Sequence, residues 1–474
     1  MTPYLLAIDN GSQSTKVTIF DSRGRAVASA RRPLQPYDTS VPGHAVHPGD
    51  DIWESIQHAC RGALARFSGD PAGIAAVGLC TIRFCRALLA VDGTLTEPVL
   101  SWMDQRVSRP YVPANPKTRY VTTSSGYITH RLTGHFTDAA ANYQGVWPID
   151  QDTAAWSGDP AAYAGTGMPR DMLFDLVPPG GRLGEVTAAA AHATGLPAGL
   201  PVYATANDKA VEALGSGLGD GTVLLSLGTY IAAMTTGSSS RSADDSYWVN
   251  FAARPGKYLY ESTGIRRGMW MVSWYRGVLE GSPGDETHLE DTLNAQASRL
   301  APGSNGLLTL PDWLAPGHAA WRRGALLGFD GSQGRAHIYR SILEGIALTM
   351  ANNTAAMEQA LGGPLSPVLV SGGGSRSDVM MQIVADVFDR PARRTPVADA
   401  AGLGAAICAA VGHGIYPDWD QATAAMVAAG DQFTPDAPAV RAYQQVNKIY
   451  AGLTSVTDPL FRSMADTLEG LERA

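Results

Sequence analysis

A strand, a turn rich in glycine and hydroxyl side chains, and a second strand occur twice in this sequence. The first copy runs from YLLAID through NGSQST to KVTIF near the N-terminus, and the second is TVLLSLGTYIAAMTT at residues 222–236. Self-similarity of this kind indicates an internal duplication. Apolar strands also alternate with helical stretches in both halves, which is typical of α/β layers. The chain is therefore predicted to form two α/β domains of similar plan.

The length of the chain agrees with this division. With 474 residues, of which 45% are apolar and 17% charged, it is globular in composition and too long for one ordinary core. Proline and glycine punctuate residues 196–217, so we place the hinge there. We predict an N-terminal domain of residues 1–216, a C-terminal domain of residues 217–474 and a cleft between them.

Two local predictions concern the first domain. The run ALLAVDG is predicted to pair with the strand IAAVGLC at residues 74–80. Residues 107–126 are rich in Pro, Ser and Thr and show little periodicity, so they are predicted to form a loop.

Charge and the character of the N-terminus argue against several partners. Lys and Arg total 36 against 44 Asp and Glu, and the net charge of -8 leaves no basic stripe for nucleic acid. The segment MTPYLLAIDNGS has a short apolar run without a basic region, so it predicts neither a signal peptide nor a membrane span. The 4 cysteines lack CxxC spacing, which favours reduced thiols and a cytoplasmic location over a metal or redox site.

The first glycine turn is a candidate phosphate clamp. Asp9 ends an apolar strand and is followed by Gly11, Ser12, Gln13 and Ser14. Backbone N–H groups and hydroxyls in such a turn can surround phosphate oxygens, while the carboxylate can hold a hydrated Mg²⁺. The turn is not a P-loop, because the next segment is a strand and not a helix. Taken alone, an ordinary β-hairpin is the simpler interpretation.

Two further glycine turns extend the candidate nucleotide site. Gly228 and Thr229 occupy the turn of the second copy, so in a duplicated fold the two turns would hold the β- and γ-phosphates from opposite sides. This pairing favours phosphate binding over two unrelated hairpins. Gly373, Gly374 and Ser377 lie where the strand PVLVS meets a predicted helix, a place where a base or ribose can approach the backbone. A plain strand-to-helix turn explains the last feature equally well.

Asp208 is the candidate catalytic base. It follows the strand LPVYATA at the proposed hinge and precedes a helical run. Phosphoryl transfer to an alcohol needs a base within reach of the hydroxyl and positive charge on the phosphate. Asp208 is also, with Asp9, a candidate Mg²⁺ ligand. A role as helix N-cap is the alternative, because Asp is favoured at that position.

A sugar-binding segment is predicted after the apolar run EPVLS. Trp102, Asp104 and Arg106 place an aromatic face, a carboxylate and a guanidinium close together, a combination that suits the C–H surfaces and hydroxyls of a polyol. Arg83 and Lys209 are added as candidate substrate contacts, and three cations near one pocket would also admit a sugar acid. An Asp-Arg surface pair is the alternative for this segment.

Taken in chain order, these segments resemble the FGGY carbohydrate kinases, which include xylulokinases, ribulokinases, gluconokinases and glycerol kinases. The similar runs include LLAIDNGSQSTKVTIFD, SWMDQR, YITHRLTG, LLSLGTY, RSILEGIAL and LVSGGGSRSDVMMQIVADVF, and they extend over nearly the whole chain. The resemblance implies an α/β fold of two ribonuclease-H-like domains, as in actin-like ATPases, with Mg·ATP in the cleft between them. A homodimer is an expectation from the family alone.

Position by position, the resemblance implies roles for the candidate residues. Asp208 matches the family's catalytic base, and Asp9 matches the acid associated with Mg²⁺. The other matches are phosphate contacts at Ser12, Ser14, Gly228 and Thr229, sugar contacts at Trp102 and Asp104, the adenosine-binding turn at Gly373, Gly374 and Ser377, and a second acid near Asp399.

The sequence departs from the family around the sugar. Ile82, Arg83 and Phe84 stand where the family has Gln followed by Met-His or Arg-Glu, and Lys209 follows the catalytic Asp in place of an amide or small residue. The stretch after Arg106 lacks a longer insertion with a Lys-x-Trp signature. The substrate therefore does not follow from the subfamilies.

Three functional hypotheses remain. The first is an ATP-dependent kinase of a small sugar or polyol, with a ketopentose such as xylulose or ribulose before a sugar acid. The second is a catalytically weakened sugar- or nucleotide-binding protein of the same fold, against which the retained base argues. The third is another actin-like ATPase, such as a chaperone or filament protein, which the sugar-binding segment disfavours.

Overall fold

The computed structural model describes residues 3–240, 245–279, 289–317, 319–395 and 399–472. Its helices are α1 (Asp51–Arg66), α2 (Ser124–Thr133), α3 (Pro160–Thr166), α4 (Ala188–Thr194), α5 (Asp208–Gly215), α6 (Trp270–Leu279), α7 (Leu289–Ala297), α8 (Arg335–Leu361), α9 (Asp378–Phe388), α10 (Ala400–Gly412), α11 (Trp419–Met426), α12 (Ala437–Tyr450) and α13 (Leu453–Glu472). Its strands are β1 (Tyr4–Asn10), β2 (Ser14–Asp21), β3 (Ala26–Pro33), β4 (Ile74–Thr81), β5 (Ala87–Leu89), β6 (Tyr120–Thr122), β7 (Thr137–Ala139), β8 (Ile149–Asp150), β9 (Ala155–Trp156), β10 (Asp175–Val177), β11 (Arg182–Glu185), β12 (Pro201–Ala204), β13 (Val223–Leu227), β14 (Ile231–Gly237), β15 (Tyr247–Phe251), β16 (Tyr258–Ser262), β17 (Leu308–Leu310), β18 (Ala325–Leu327), β19 (Val368–Ser371), β20 (Ala392–Arg394) and β21 (Gln432–Phe433).

The first half of the chain is built on a six-stranded sheet in the order β11-β12-β4-β1-β2-β3. Strands β1, β2 and β3 are antiparallel neighbours, whereas β4 and β12 continue the sheet parallel to β1. Residues 5–8 of β1 are fully buried, as expected for a strand covered on both faces. Helix α1 packs on β2 and β3, and helix α10 packs on β1 and β4.

The second half repeats this plan. Its seven-stranded sheet has the order β15-β16-β14-β13-β19-β20-β21, in which β13, β14 and β16 are antiparallel neighbours and β19 and β20 run parallel to β13. The hairpin β13–β14 therefore corresponds to β1–β2, and β19 corresponds to β4. This shared order is the structural counterpart of the sequence repeat.

Helices α5 and α10 cross where the two sheets meet, and their backbones are in close contact. A Cβ at Gly404 would lie 1.9 Å from the Val211 carbonyl oxygen, and one at Gly215 would lie 1.9 Å from the Ala400 carbonyl oxygen. A Cβ at Gly78 of β4 would likewise lie 2.1 Å from the Ala405 carbonyl oxygen. Only glycine permits these approaches. The end of α5 is thereby held against the start of α10.

Two local predictions were wrong. Strand β5, within ALLAVDG, pairs with β6 and not with β4, because β1 and β12 already occupy both edges of β4. Residues 107–126 are not simply a loop, since they include β6 and the beginning of α2. The short β6 has too few residues to show a period-two pattern.

The strands of the first sheet lie within residues 4–204 and those of the second within residues 223–433. The exact boundary between residues 216 and 217 stays a prediction. No helix in the described part of the chain has both the length and the apolar character that a bilayer crossing requires.

Candidate active site

The two predicted phosphate turns border one cavity. It has a volume of about 310 Å³ and is lined by Asp9, Gly11, Ser12, Gln13, Ser14, Lys16, Arg31 and Thr229. The Gly11 N–H donates to the Ser14 carbonyl at 3.1 Å, which closes the first turn tightly. The structure thus brings Thr229, from the second turn, to the residues of the first, which is the arrangement that the duplication predicts.

Two cations in this cavity were not among the predicted site residues. Lys16 on β2 and Arg31 on β3 lie directly opposite each other, and Lys16 shares a face with Ser14 because side chains alternate along a strand. Arg31 Nε donates to Ser14 Oγ at 2.8 Å. The alternation of side chains along β2 could have indicated Lys16 from the sequence. Arg31 could be found only from the pairing register of β2 and β3. Both add positive charge where phosphate oxygens would lie.

Asp9 ends β1 within a group of carboxylates. Burial, together with the charges of Asp399, Asp208 and Glu212, raises the pKa of Asp9 to about 8, and Lys16 partly opposes this rise. Asp399 caps α10 in front of β2, where Thr18 Oγ1 donates to its Oδ2 at 2.5 Å. The resemblance placed a second acid near this position. Negative charge is therefore concentrated beside the phosphate turn.

This crowding of carboxylates suits a divalent cation. Within the described residues, no group of three or more His, Cys, Asp or Glu side chains is placed to hold a metal ion by itself. Mg²⁺ is usually bound by one or two carboxylates together with water and substrate phosphates. Asp9, whose carboxylate adjoins the predicted phosphate turn, fits such a site. Asp9 and Asp208 stay the predicted ligands.

Asp208 is the first residue of α5, and the residue before it caps the helix. Asn207 Oδ1 accepts the Ala210 N–H at 3.1 Å, so the alternative of Asp208 as N-cap is wrong. Its carboxylate accepts only the Lys209 N–H at 3.0 Å among the described hydrogen bonds. Burial raises the pKa of Asp208, and the charges of Arg83 and Lys209 oppose that rise. A weakly engaged carboxylate at this place can serve as a base once it is ionised.

Lys209 points toward the second sheet. Its Nζ donates to Glu212 Oε2 at 2.9 Å and to Ser226 Oγ at 2.8 Å. Ser371 Oγ donates to the other carboxylate oxygen of Glu212 at 2.6 Å. This network joins α5 to the ends of β13 and β19. The substrate role of Lys209 stays a prediction, and in this structure its ammonium group anchors the helix that carries Asp208.

Arg83 connects the two halves of the chain. It makes a two-pronged ion pair with the fully buried Glu261 of β16, with N–O distances of 2.8 and 3.0 Å. Its guanidinium also lies 4.6 Å from the centre of the Trp248 ring. The next residue, Phe84, has a left-handed backbone with φ of 65°, which is strained for a residue of its size. Arg83 thus borders the cleft near Asp208 with its charge already neutralised.

The predicted sugar segment is ordered by its own ion pair. Both oxygens of the buried Asp104 accept hydrogen bonds from Arg106, and one also accepts the Ala45 N–H at 2.9 Å. Arg106 contacts Glu97 as well, at 3.3 Å. Trp102, by contrast, is 44% exposed and available to a ligand. Asp104 and Arg106 therefore hold the segment in place, and their direct contact with substrate stays a prediction.

The third glycine turn adjoins the second phosphate turn. Gly372 has φ of 83°, and a Cβ there would lie 2.5 Å from the Leu227 carbonyl oxygen. Gly373 has open space where a side chain would be, which lets a flat ligand approach, whereas Gly374 is buried. Ser377 caps α9. The predicted adenosine and phosphate contacts are thus neighbours, although their roles stay predictions.

Comparison with known proteins decides the family. Residues 4–115 and 111–215 match the N-terminal domain of the FGGY family of carbohydrate kinases, and residues 223–413 match its C-terminal domain. The chain belongs to the FGGY family of carbohydrate kinases. It is therefore a carbohydrate kinase, and this family implies the use of ATP.

Individual FGGY relatives support the same conclusion. The chain is 46% identical over 474 residues to the uncharacterized sugar kinase YgcE of Escherichia coli (strain K12), covering 98% of this chain and 96% of the relative. The solved xylulose kinase from Rhodospirillum rubrum has a TM-score of 0.81 at 24% identity, covering 97% of this chain and 100% of the other. For the gluconate kinase from Lactobacillus acidophilus, the TM-score is 0.83 at 19% identity, with 98% and 100% covered. The predicted two-domain, actin-like fold is confirmed, and the differing sugars in these names leave the substrate of this FGGY kinase open.

Proposed function

We propose that this enzyme transfers the γ-phosphoryl group of ATP to a hydroxyl of a small sugar or polyol. A ketopentose such as xylulose or ribulose is the first candidate, and a sugar acid is the second. The observation that carries the proposal is the shared cavity of the two glycine turns, which Asp9 also lines. Asp208, at the start of the hinge helix, is close enough to Asp9 for their charges to interact.

Each residue near the cavity would have a separate role in the proposed reaction. The sugar hydroxyl would donate its proton to the Asp208 carboxylate as its oxygen attacks the terminal phosphorus. The backbone N–H groups of both turns, with Lys16 and Arg31, would offset the charge of the phosphate oxygens. A bound Mg²⁺, held by Asp9, would neutralise further phosphate charge. Approach of the two domains would exclude water, the competing acceptor.

The proposal also covers the cellular location and the oligomeric state of the enzyme. A cytoplasmic location is supported by the cysteines, since Cys60, Cys80, Cys85 and Cys408 are all buried and free. A homodimer rests on the family alone.

The direct test is an assay of ADP release with purified protein, Mg·ATP and a panel containing D-xylulose, D-ribulose, glycerol and D-gluconate. We expect ADP release to rise strongly with one of these acceptors over the rate with water alone. If nucleotide and sugar bind but no acceptor in a widened panel raises ADP release, the protein is a binder and the proposal fails.

A further inference from the structure

A second cavity lies beside the predicted sugar segment. Its volume is about 260 Å³, and three aromatic side chains, Phe84, Trp102 and Trp147, contribute to its wall. Gln144 and Arg86 are its buried polar members. Aromatic faces with a few placed polar groups are the usual composition of a small-molecule site. Phe84 follows Arg83, whose charge acts on Asp208, so this cavity lies near the candidate base.

Gln144 is the unusual residue in this cavity. Its side chain is buried, with 6% of the residue exposed, yet neither Oε1 nor Nε2 has a hydrogen-bond partner among the described residues. An amide left in this state costs stability, and natural proteins rarely keep one without a use. Arg86 Nε, also buried, is likewise unpartnered in the described residues. The cavity wall therefore contains two donors, Gln144 Nε2 and Arg86 Nε, and one acceptor, Gln144 Oε1, that have no partner among the described residues.

The charges around this cavity distinguish between possible ligands. The three cations that had suggested a sugar acid are all paired with carboxylates: Arg83 with Glu261, Arg106 with Asp104, and Lys209 with Glu212. Arg86 directs its Nη atoms at the backbone carbonyl oxygens of residues 106, 107 and 109, at 3.1 to 3.2 Å. Among the described residues that line this cavity, Arg86 is the one cation, and its Nη atoms are occupied by these carbonyl oxygens.

The free atoms of Gln144 match hydroxyl groups better than a carboxylate. A hydroxyl can donate to Oε1, and a neighbouring hydroxyl can accept from Nε2 or from Arg86 Nε. A carboxylate only accepts, so it would leave Oε1 unpartnered. We propose that Gln144 is a specificity-determining residue of the acceptor site, which binds a pair of adjacent hydroxyls at the end of a neutral sugar remote from the phosphorylated carbon. This inference rests on the proposed sugar kinase function and narrows it to neutral sugars.

The variant Gln144→Leu tests this assignment, because it keeps the approximate volume and removes both donor and acceptor. For the best neutral sugar of the panel, we expect KM to rise by about tenfold or more, while kcat changes less and the KM for ATP is unchanged. Gln144→Asn, which retains the amide on a shorter side chain, should lie between wild type and Gln144→Leu. The exposed Gln359, on α8, supplies the matched control Gln359→Leu, which should leave all three constants unchanged.

Stability separates recognition from a structural role. If Gln144 serves the ligand, Gln144→Leu should fold with a sugar-free Tm equal to or above that of wild type, because an unpartnered amide is replaced by an apolar group. The rise in Tm on adding the sugar without ATP should be smaller in the variant than in wild type. A lower sugar-free Tm, with no change in the sugar-induced rise, would overturn the assignment.

The outcomes also separate this inference from the proposed function. An active wild-type enzyme whose sugar KM is unaffected by Gln144→Leu would refute the role of Gln144 alone. Preference of the wild-type enzyme for D-gluconate over the neutral sugars would refute the substrate class alone. Sugar-induced stabilisation that depends on Gln144, without any phosphoryl transfer, would support the binding site and refute the kinase.

Discussion

The carboxylate of Asp9 lies close to three others, and this gives it a distinct dependence on pH. Its pKa is about 8 in the folded protein, against 3.8 for an unperturbed Asp, because burial and neighbouring negative charge disfavour ionisation. The folded state therefore holds a proton on Asp9 between these pH values, whereas the unfolded state does not. Stability from this group is complete below pH 3.8 and is lost as the pH rises through about 8.

We predict that Asp9→Asn raises the Tm of the nucleotide-free protein at pH 8 by about 2 to 4 °C, because the variant lacks the buried charge. The same variant should lose activity, since it also loses the proposed cation ligand. Thermal unfolding followed between pH 5 and 8.5 would test this, with the exposed Asp466→Asn as control. Superimposable pH profiles for Asp9→Asn and wild type would contradict the assigned repulsion.

Side-chain partners explain why prediction at the residue scale was incomplete. The local pattern allowed Asp208 to be either the base or the helix cap, and only the assembled backbone shows that Asn207 is the cap. Arg31 lines the cavity of the two glycine turns because it lies opposite Lys16 in the pairing of β2 with β3. No local sequence pattern gives this pairing. Contacts between residues distant in sequence are set by the assembled fold. The ion pair between Arg83 and Glu261 is the clearest case.

At the scale of elements, the crossing of α5 and α10 positions the acids. Asp208 begins one helix and Asp399 caps the other, and the helices touch at glycine. Any increase in their separation should therefore displace both carboxylates relative to each other.

We predict that Gly404→Ala lowers both stability and kcat. The added Cβ would lie 1.9 Å from the Val211 carbonyl oxygen, and overpacking of this kind costs about 1–3 kcal/mol. A displacement of about 1 Å at a catalytic group can cost about a hundredfold in rate. Gly277→Ala is the control, since Gly277 is exposed on α6 with no atom near its Cβ position. Wild-type kcat in Gly404→Ala would show that the crossing does not fix the acids.

The longer elements were predictable because their signals are local. Apolar runs indicated β1, β4, β13 and β19, and a helix was predicted where α9 follows β19. The pairing of β5 with β6 was missed because partner choice depends on which sheet edges are already occupied.

At the scale of the whole molecule, the ion pair between Arg83 and Glu261 joins the two halves near Asp208, the proposed base. Arg83 is the main neighbour that lowers the pKa of Asp208. The proton-accepting form of Asp208 is the ionised one, so loss of Arg83 should move the acidic limb of kcat/KM to higher pH.

The double variant Arg83→Gln/Glu261→Gln removes this pair without leaving a buried charge unpartnered. We predict an acidic limb at higher pH than in wild type, measured from pH 5 to 9 with saturating Mg·ATP. Arg390→Gln/Glu358→Gln removes another ion pair within the second half and should leave the limb in place. An unshifted or lower limb in the first double variant would exclude Arg83 from control of the base.

The duplicated plan and the family were predictable from sequence, because the repeated turns and the ordered motifs span the chain. The proposed role of Gln144 was not, since this residue lies in a segment without any recognisable pattern. Asp208 remains central at every scale, as the residue that would make this fold a kinase and not only a binder.

The most direct test is therefore sugar-dependent ADP release by Asp208→Asn, with Asp420→Asn in the first turn of α11 as control. We predict that Asp208→Asn lowers kcat by about a hundred- to ten-thousandfold while ATP binding is largely retained, and that the control matches wild type. Wild-type turnover in Asp208→Asn would contradict the assignment of Asp208 as the base.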